Sequence, residues 1–384
     1  MPDKMGSTVT DKEGKRMVKI MIAPNRYIQG PGVIKETAKY IVHLGSSFYF
    51  IGGPTALSII KEKVSASLDE RSLKYHFEEF PGECTRSSAA GLSDKAKKFG
   101  AQVITGVGGG RAIDTAKAVS HELDSALVII PTVASNDAPC SALSVQYKEN
   151  HMLDRFLILK RNPDVVLVDS KIIAESPTRY FVAGMGDALA TWFEAFTCTK
   201  SSAKNLPGGM ATSAALNLAK LCYDTLMKYG VLAKLAVDQN AVTPAVEMVI
   251  EANILLSGLG FESAGLAAAH GIHEGIHALQ GTERALHGEL VAFGTIAQLV
   301  MENYSKEEID RVMGFCNAVG LPVTLKQLGV SDLSPENLTK AAKVACMEGL
   351  TTHHSYFEVN PELVLGAIIG ANALGEDSLK GPGC

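Results

Sequence analysis

The stretch AQVITGVGGGRAIDTAKAVSHEL, residues 101–123, decides the fold that this sequence predicts. An apolar run leads into the glycine cluster GVGGG at 106–110, and a helix-like segment follows from Arg111. Because a strand signal stops at the glycines and a helix signal starts directly after them, the stretch has the order strand, turn, helix. It therefore indicates one unit of an α/β fold.

The chain around this unit, up to about residue 178, continues the same alternation. The short apolar runs are SSFYFIGG (46–53), ALVIIPT (126–132) and DVVLVD (164–169), with helix-like segments such as TALSIIKEKVSASL (55–68) between them. Near-continuous apolar strands that alternate with helices predict a mostly parallel sheet that is covered on both faces. Such sheets bind ligands at the carboxyl ends of their strands.

After Pro177 the strand signals fade and helical periodicity takes over. VAGMGDALATWFEAFT (182–197) and HGELVAFGTIAQLVMENY (287–304) repeat apolar residues at helical spacing and are interrupted by glycines. We therefore expect an α/β domain over 1–178 and an all-helical domain over 179–384. A small-molecule site is expected in the cleft between them.

The composition narrows the classes of protein. Of the 384 residues 46% are hydrophobic, and the net charge of −5 with a pI near 6.1 shows no basic footprint for nucleic acid. No uninterrupted apolar stretch approaches the ~20 residues of a membrane-spanning helix. The polar segment MPDKMGSTVTDKEGKR (1–16) resembles a flexible leader more than a signal peptide. Seven scattered cysteines without CxxC spacing indicate reduced thiols, so we expect a cytoplasmic protein.

Two loops at the predicted carboxyl edge of the sheet are candidates for ligand binding. The glycines of GVGGG and the helix N-terminus behind them suit a pyrophosphate. An ordinary tight turn is the alternative, because the spacing is neither that of a first-strand G-x-G-x-x-G turn nor that of a Walker A motif. The loop PTVASNDAPCSALSVQY (131–147) carries Thr132, Ser135, Ser141 and Asp137, whose side chains could reach a cofactor and a polyol. The same residue types also form plain turns.

The segment LAAAHGIHEGIHALQGTERALHGEL (266–290) contains four histidines and the pattern HEGIH. His273 and His277 are four residues apart and share one face of a helix, so they could bind one metal with Glu274 as the general base. This is the interpretation as a zinc metalloprotease. It also requires a third ligand and a substrate groove, of which the helical half shows little sign.

A second set of ligands competes with HEGIH. It combines His270 and His287 with a distant carboxylate, for which Asp187 in GMGDALATW is the best candidate. Asp-His-His with an open fourth position is the pattern of a catalytic zinc. An Asp at the start of a helix could equally be a cap. The residues alone leave these alternatives open.

Six motifs follow one another over most of the chain: GVGGGRAIDTAKAV, PTVASNDAPCSALSVQY, RNPDVVLVD, VAGMGDALATWFEA, GLAAAHGIHEGIHAL and LHGELVAFGT. In their sequences and in their order they resemble the glycerol dehydrogenases of the iron-containing (group III) alcohol dehydrogenase superfamily. The resemblance implies an N-terminal Rossmann-like dinucleotide-binding domain and an all-helical C-terminal domain, with a metal in the cleft.

The resemblance also implies roles for individual residues. It implies that Asp187, His270 and His287 are the metal ligands and the catalytic residues. It implies that Asp137 and His270 contact the substrate. The residues implied to contact the cofactor are Gly109, Gly110, Arg111, Asp114, Thr132, Ser135, Ser141, Leu143 and Tyr147.

The remaining histidines and the choice of metal follow from the same resemblance. His273 and His277 match no metal position: His273 is expected near the nicotinamide, and His277 is expected to be an ordinary helix histidine. Iron-using relatives carry a histidine four residues after the aspartate ligand, and here that position is Thr191. Three protein ligands favour Zn²⁺ with an open coordination position.

The chain departs from the family pattern at two places. Arg111 replaces the usual lysine after the glycines and keeps its positive charge. Gly53 occupies the position where members that prefer NAD carry an aspartate, which binds the adenosine ribose and repels a 2′-phosphate. We therefore expect NAD as the cofactor, with NADP as an alternative.

The function that the resemblance implies is oxidation of the C2 hydroxyl of glycerol, or of a related vicinal diol, to give dihydroxyacetone. The partner is then a small polyol, and the chain is expected to form a homo-oligomer. A 1,2-propanediol, polyol or aldehyde reductase of the same fold is the closer alternative. Elimination and ring closure on a sugar phosphate, as in dehydroquinate synthase, would require a basic phosphate-binding cluster that the sequence does not show.

Overall fold

The computed structural model of the chain describes residues 18–150 and 152–380. The expected leader at 1–16 and Cys384 lie outside the described residues. In the described part the strands are β1 (Tyr27–Gly30), β2 (Ser47–Gly52), β3 (Lys74–Glu79), β4 (Val103–Gly108), β5 (Ala126–Pro131), β6 (Leu143–Tyr147), β7 (Leu153–Ile158) and β8 (Val165–Asp169). The α-helices of the same part are α1 (Thr37–Ile41), α2 (Pro54–Asp69), α3 (Arg86–Phe99), α4 (Gly110–Leu123), α5 (Ser170–Ala174), α6 (Thr178–Ser201), α7 (Ser213–Val237), α8 (Pro244–Glu251), α9 (Ser257–Ala264), α10 (Ala268–His277), α11 (His287–Met301), α12 (Lys306–Val319), α13 (Pro335–Ala345) and α14 (Pro361–Ser378).

Six of the strands form one parallel sheet in the order β1-β8-β5-β4-β2-β3, and β6 and β7 form a separate antiparallel hairpin. The predicted α/β fold with a mostly parallel sheet is confirmed, and its four central strands were all found in the sequence. The two edge strands were missed because half-exposed strands carry no continuous apolar run. β3, for example, has the sequence KYHFEE with no fully buried residue. The hairpin was also missed, since β6 lies inside the segment interpreted as a loop.

Both faces of the sheet are covered by helices, which is why its central strands are apolar throughout. On β2, Phe48 and Phe50 pack into a cluster with α1 and α2, whereas Tyr49 and Ile51 pack into a second cluster with α3 and α4. Successive side chains of a strand point to opposite faces. A run of buried apolar residues is therefore what a strand between two helical layers requires.

The register of the sheet brings the predicted ligand-binding loops to one edge. Gly52 pairs with Val107, and Gly108 pairs with Pro131, so β2, β4 and β5 end side by side. The N–H of Thr132 donates to the carbonyl oxygen of Gly108 at 3.1 Å. The glycine turn, the end of β2 and the start of the polar loop therefore lie next to one another.

Beyond Asp169 the described residues form helices and connecting segments, and the structure assigns no further strand there. The buried side chains of these helices are continuous with the α3 and α4 side of the sheet. The run Pro244–Ala264 joins α8 to α9 through a π-helical segment, Ala252–Leu256, and is long and apolar enough to cross a membrane by length and composition alone. Because 67% of its apolar window is buried inside the protein, it fits a core helix. The domain boundary at 178 stays a prediction.

A substitution at Gly106 tests the close packing of α4 on β4. A Cβ at Gly106 would lie 2.7 Å from the Cβ of Ala116, which has no flexible end to move away. We expect Gly106→Ala to push α4 off the sheet and lower the free energy of unfolding by ~1–3 kcal/mol. As a matched control, Gly91→Ala in α3 meets nothing within 4 Å and should raise stability by ~0.5–1 kcal/mol. Urea denaturation measures both, and equal midpoints for the two variants would contradict this account of the packing.

Candidate metal centre

The structure brings Asp187, His270 and His287 together from three helices. Asp187 lies in the middle of α6, His270 lies in the first turn of α10, and His287 is the first residue of α11. The Oδ1 atom of Asp187 is 3.4 Å from His270 Nε2 and 3.2 Å from His287 Nε2. Within the described residues, these three form the one group of His, Cys, Asp and Glu side chains spaced to hold a metal ion. Residues separated by up to 100 positions in the sequence thus share one site.

Glycines allow the three helices to approach this closely. A Cβ at Gly288 would lie 1.8 Å from the carbonyl oxygen of Ala183, and a Cβ at Gly186 would lie 2.3 Å from the carbonyl oxygen of Gly288. α6 and α11 therefore cross in backbone contact, directly beside the ligands that each carries. α10 meets α11 in the same way, because a Cβ at Gly294 would lie 2.4 Å from the carbonyl oxygen of Ala269.

The carboxylate of Asp187 has the environment expected of a metal ligand. It is fully buried within α6, so the alternative interpretation as a helix cap is wrong. Its Oδ2 accepts a hydrogen bond from the N–H of Asp137 at 3.1 Å, but its Oδ1 accepts none in good geometry. Burial opposes ionisation, yet the imidazoles of His287 and His270 hold the pKa of Asp187 well below its usual range. A buried anionic oxygen that faces two imidazole nitrogens suits a cation.

The second nitrogen of each imidazole is held by another side chain. His270 Nδ1 lies 2.6 Å from Glu194 Oε2, and His287 Nδ1 lies 3.2 Å from His273 Nε2. With the protons on both Nδ1 atoms, the lone pairs of both Nε2 atoms face Asp187, as metal-ligating histidines require. The sequence analysis missed Glu194. A signal existed, since Glu194 follows Asp187 by seven residues and so lies on the same face of the helix.

The histidines of HEGIH lie beside this cluster, not in it. His273 is buried against His287, and burial together with the surrounding imidazoles lowers its pKa well below the usual range. His277 is exposed, with its ring parallel to that of His273 at 6.0 Å. In the described part of the chain no third metal ligand accompanies this pair. The geometry therefore does not support the interpretation as a metalloprotease, and contact of His273 with a nicotinamide stays a prediction.

Asp137, the predicted substrate contact, lies next to the three ligands. It is buried, and its Oδ2 accepts a hydrogen bond from Ser257 Oγ at 2.7 Å. Burial and the neighbouring charge of Asp187 raise the pKa of Asp137 to about 7. Thr191 Oγ1 lies 2.8 Å from Ser257 Oγ, so the position four residues after Asp187 contributes to this chain of hydrogen bonds. The sequence analysis did not single out Ser257, whose π-helical neighbourhood carries no sequence signature.

The predicted cofactor contacts at the glycine turn lie at the N-terminus of α4. Gly108 has a φ of 133°, a left-handed conformation that favours glycine. Gly109 precedes α4 in extended conformation, and Gly110 begins the helix. Their N–H groups lie at the positive end of the helix dipole, which is where a pyrophosphate is stabilised.

A buried lysine that the sequence analysis missed organises part of the polar loop. Lys117 Nζ donates to the carbonyl oxygens of Ala138 at 2.6 Å and Leu143 at 2.7 Å, and to Ser141 Oγ at 3.0 Å. It also lies 3.8 Å from Asp114 Oδ1. Burial raises the pKa of Asp114 to about 6 although Lys117 opposes the shift. The side chains of Asp114 and Ser141 thus contribute to internal packing, and their contact with a cofactor stays a prediction.

The remaining predicted contacts lie around the same turn. Thr132 and Ser135 belong to the polar loop after β5, and Tyr147 ends β6. The guanidinium of Arg111 is largely exposed and lies 3.4 Å from Glu83 Oε2. Burial raises the pKa of Tyr147 above its usual range. The structure places all of these residues near the edge where β4 and β5 end, and their roles stay predictions.

Comparisons with known proteins agree with this geometry. Residues 24–170 match the family described as iron-containing alcohol dehydrogenase. The chain is 45% identical to the glycerol dehydrogenase of Citrobacter freundii, over 94% of this chain and 100% of that protein. It is 40% identical to the glycolaldehyde reductase of Halobacterium salinarum, over 94% of this chain and 98% of that protein. The crystal structure of glycerol dehydrogenase from Schizosaccharomyces pombe is 32% identical with a TM-score of 0.92, covering 96% of this chain and 94% of that one.

The fold and these relatives define an enzyme, an oxidoreductase of the alcohol dehydrogenase class. The chain belongs to the glycerol dehydrogenases within the iron-containing alcohol dehydrogenase family. The resemblance of its six motifs is thereby confirmed, as is the Rossmann-like fold with a helical second half that it implied.

Gly288 tests whether the helix crossing positions the metal ligands. We expect Gly288→Ala to separate α6 from α11, because the new Cβ would overlap the carbonyl oxygen of Ala183. Stability should fall by ~1–3 kcal/mol, and the affinity of the candidate site for a divalent metal ion should fall with it, since Asp187 and His287 move apart. Gly314→Ala on the exposed face of α12 meets nothing within 4 Å and serves as the control. Calorimetric melting and zinc titration measure both effects, and wild-type zinc affinity in Gly288→Ala would refute the link.

Proposed function

We propose that the chain oxidises the C2 hydroxyl of glycerol, or of a related vicinal diol, and transfers the hydride to a nicotinamide cofactor. Dihydroxyacetone is then the product from glycerol. The observation that carries the proposal is the buried Oδ1 of Asp187, which no hydrogen bond satisfies and which two imidazole Nε2 atoms face. The glycine turn at the N-terminus of α4 supports dinucleotide binding. Relatives named glycerol dehydrogenase support glycerol as the substrate.

We propose zinc as the metal that Asp187, His270 and His287 would hold. One carboxylate and two imidazoles with a further position open form a ligand set of catalytic zinc. Thr191 supplies no imidazole to the site, and its Oγ1 lies 2.8 Å from Ser257 Oγ. Within the described residues three side chains are spaced to hold one metal ion, which matches catalytic zinc sites with three protein ligands and one open position.

The residues of the chain would bind and orient the two reactants. A zinc ion bound by the three ligands would act as a Lewis acid and lower the pKa of the hydroxyl that is oxidised. Asp137 lies beside Asp187 and would exchange hydrogen bonds with a substrate hydroxyl. Gly109 and Gly110 would hold the pyrophosphate and so keep the nicotinamide ring beside the substrate.

A reductase acting on a small hydroxyaldehyde is the second candidate function. It is favoured by the 40% identity to glycolaldehyde reductase over almost the whole length of both proteins. The two functions share the metal centre and the cofactor, so they differ only in the preferred substrate. Comparing kcat/KM for glycerol and 1,2-propanediol oxidation with kcat/KM for glycolaldehyde reduction, at the same zinc and cofactor concentrations, separates them. The expected homo-oligomer and cytoplasmic location stay predictions.

The metal ligands are tested by single histidine substitutions within one segment. We expect His287→Ala to abolish both zinc binding and turnover of glycerol, because it leaves only two ligands. His277→Ala changes an exposed histidine that contacts none of the three ligands and should retain both properties. Zinc content by elemental analysis and formation of reduced nicotinamide by absorbance measure the outcome. Full activity of zinc-free His287→Ala, or loss of zinc in His277→Ala alone, would overturn the assignment.

Gly53 tests the cofactor preference. It precedes α2 in extended conformation without a side-chain cap, and a Cβ there meets nothing within 4 Å, so an aspartate fits without strain. We expect Gly53→Asp to lower kcat/KM for NADP relative to NAD by roughly tenfold, or about 1.4 kcal/mol. Gly53→Asn is the matched control, since it can cap α2 equally well but carries no charge. An equal change in both variants would show that charge does not determine the preference.

A further inference from the structure

We propose that Glu194 is a positioning residue that fixes the orientation and the proton of His270, and that it thereby sets the affinity of the site for its metal. The inference rests on the proposed metal centre. It concerns a residue that no motif of the sequence analysis assigned. Glu194 is fully buried in α6, so its charge needs a specific partner.

The hydrogen bonds of the Glu194 carboxylate in the described residues are with the start of α10. Its Oε1 accepts hydrogen bonds from the backbone N–H groups of Ala267 and His270, both at 2.9 Å. Its Oε2 lies 2.6 Å from Nδ1 of the His270 ring. The residue before α10 is Ala267, and its methyl side chain cannot accept a hydrogen bond to cap the helix. A glutamate from another helix therefore satisfies two of the N–H groups at the start of α10 and orients the imidazole at the same time, while the N–H of Ala269 donates to Gln298.

These contacts require a carboxylate, not merely a polar side chain. Both oxygens of Glu194 face donors: two backbone N–H groups on one side, and Nδ1 of His270 on the other. A glutamine has one oxygen and one NH₂ group, so one side must be mismatched. With its oxygen toward the backbone, the NH₂ group faces Nδ1 and favours a proton on Nε2. That proton would occupy the lone pair that faces Asp187.

The same side chain therefore determines whether His270 can act as a ligand. When Nδ1–H donates to Glu194, the lone pair of Nε2 remains available to a metal. Partners of this kind also raise the basicity of the ligand, and their loss typically weakens metal binding by ~10–100-fold. The other histidine ligand has a different partner, because His287 Nδ1 lies 3.2 Å from His273 Nε2, which belongs to an imidazole and not to a carboxylate.

Glu194→Gln tests the proposal, with Glu302→Gln as the matched control. Glu302 is also a buried carboxylate near α6, but its Oε1 accepts from Thr197 and Gln298 while its Oε2 has no hydrogen-bond partner. The oxygen of an amide can therefore keep both contacts of Oε1, and its NH₂ group takes the place of an oxygen that has no hydrogen-bond partner in the described residues. Zinc affinity is measured by competition with a chelator, and folding of the zinc-free proteins is measured by circular dichroism and thermal melting.

We expect zinc-free Glu194→Gln to be folded and to bind zinc ~10–100-fold more weakly than the unmodified protein. Glu302→Gln should bind zinc as the unmodified protein does. Unchanged zinc affinity in folded Glu194→Gln would overturn the inference. Failure of the unmodified protein to bind zinc would instead refute the metal centre itself, so the two failures are distinguishable.

A second measurement decides the matter if Glu194→Gln does not fold. Histidine-selective ¹⁵N NMR of the zinc-free, unmodified protein, at a pH where the ring is neutral, reports which ring nitrogen of His270 carries the proton, with zinc-free His270→Ala used to assign the signal. We expect His270 to keep its proton on Nδ1. A proton on Nε2 of His270 would contradict the proposed role of Glu194.

Discussion

α6 and α11 cross so closely at Gly186 and Gly288 that neither position has room for a Cβ. Because a helix is rigid, this contact fixes where the neighbouring residues lie, which are Asp187 on one helix and His287 on the other. α10 is held against α11 by a similar backbone contact at Gly294. The ligand set is therefore positioned by the packing of the three helices.

A layer of buried polar contacts connects this helical cluster to the sheet. Glu262 in α9 accepts from the N–H of Ala142 at 2.5 Å and from Asn162 Nδ2 at 2.5 Å, and burial raises its pKa to about 7. Lys117 in α4 donates hydrogen bonds to the carbonyl oxygens of Ala138 and Leu143, which belong to the same loop as Ala142. Such groups are stabilising only when they are paired. These contacts, together with the hydrogen bond from the N–H of Asp137 to Asp187, tie the loop that carries Asp137 to the metal ligands.

The sequence predicted those features that depend on local pattern. Periodicity predicted the central strands and the helical second half, because buried strands and amphipathic helices each require apolar residues at a regular spacing. The cluster of glycines between a strand and a helix predicted the glycine turn. A local pattern can also mislead. The two histidines of HEGIH, at helical spacing, were the most conspicuous metal motif in the sequence. The ligand cluster instead combines Asp187 with histidines far along the chain. The resemblance to a family supplied that assignment.

Other features could not be found without the structure. The edge strands β1 and β3 lack apolar runs, and Lys117 has the appearance of an ordinary surface residue of a helix. Glu194 and Ser257 gain their importance from contacts with residues of other helices, which spacing along one helix does not reveal. The conspicuous glycines of α6 and α11 were interpreted as interruptions of helices, whereas their role is to let two backbones touch.

Packing of three helices brings Asp187, His270 and His287 together, and these three residues form the proposed metal site. A crystal structure of the zinc-loaded protein, with anomalous diffraction measured on both sides of the zinc edge, tests it most directly. We expect one anomalous peak at ~2.0–2.2 Å from Asp187 Oδ1, His270 Nε2 and His287 Nε2. A peak between His273 and His277, or no peak at the three predicted ligands, would contradict it.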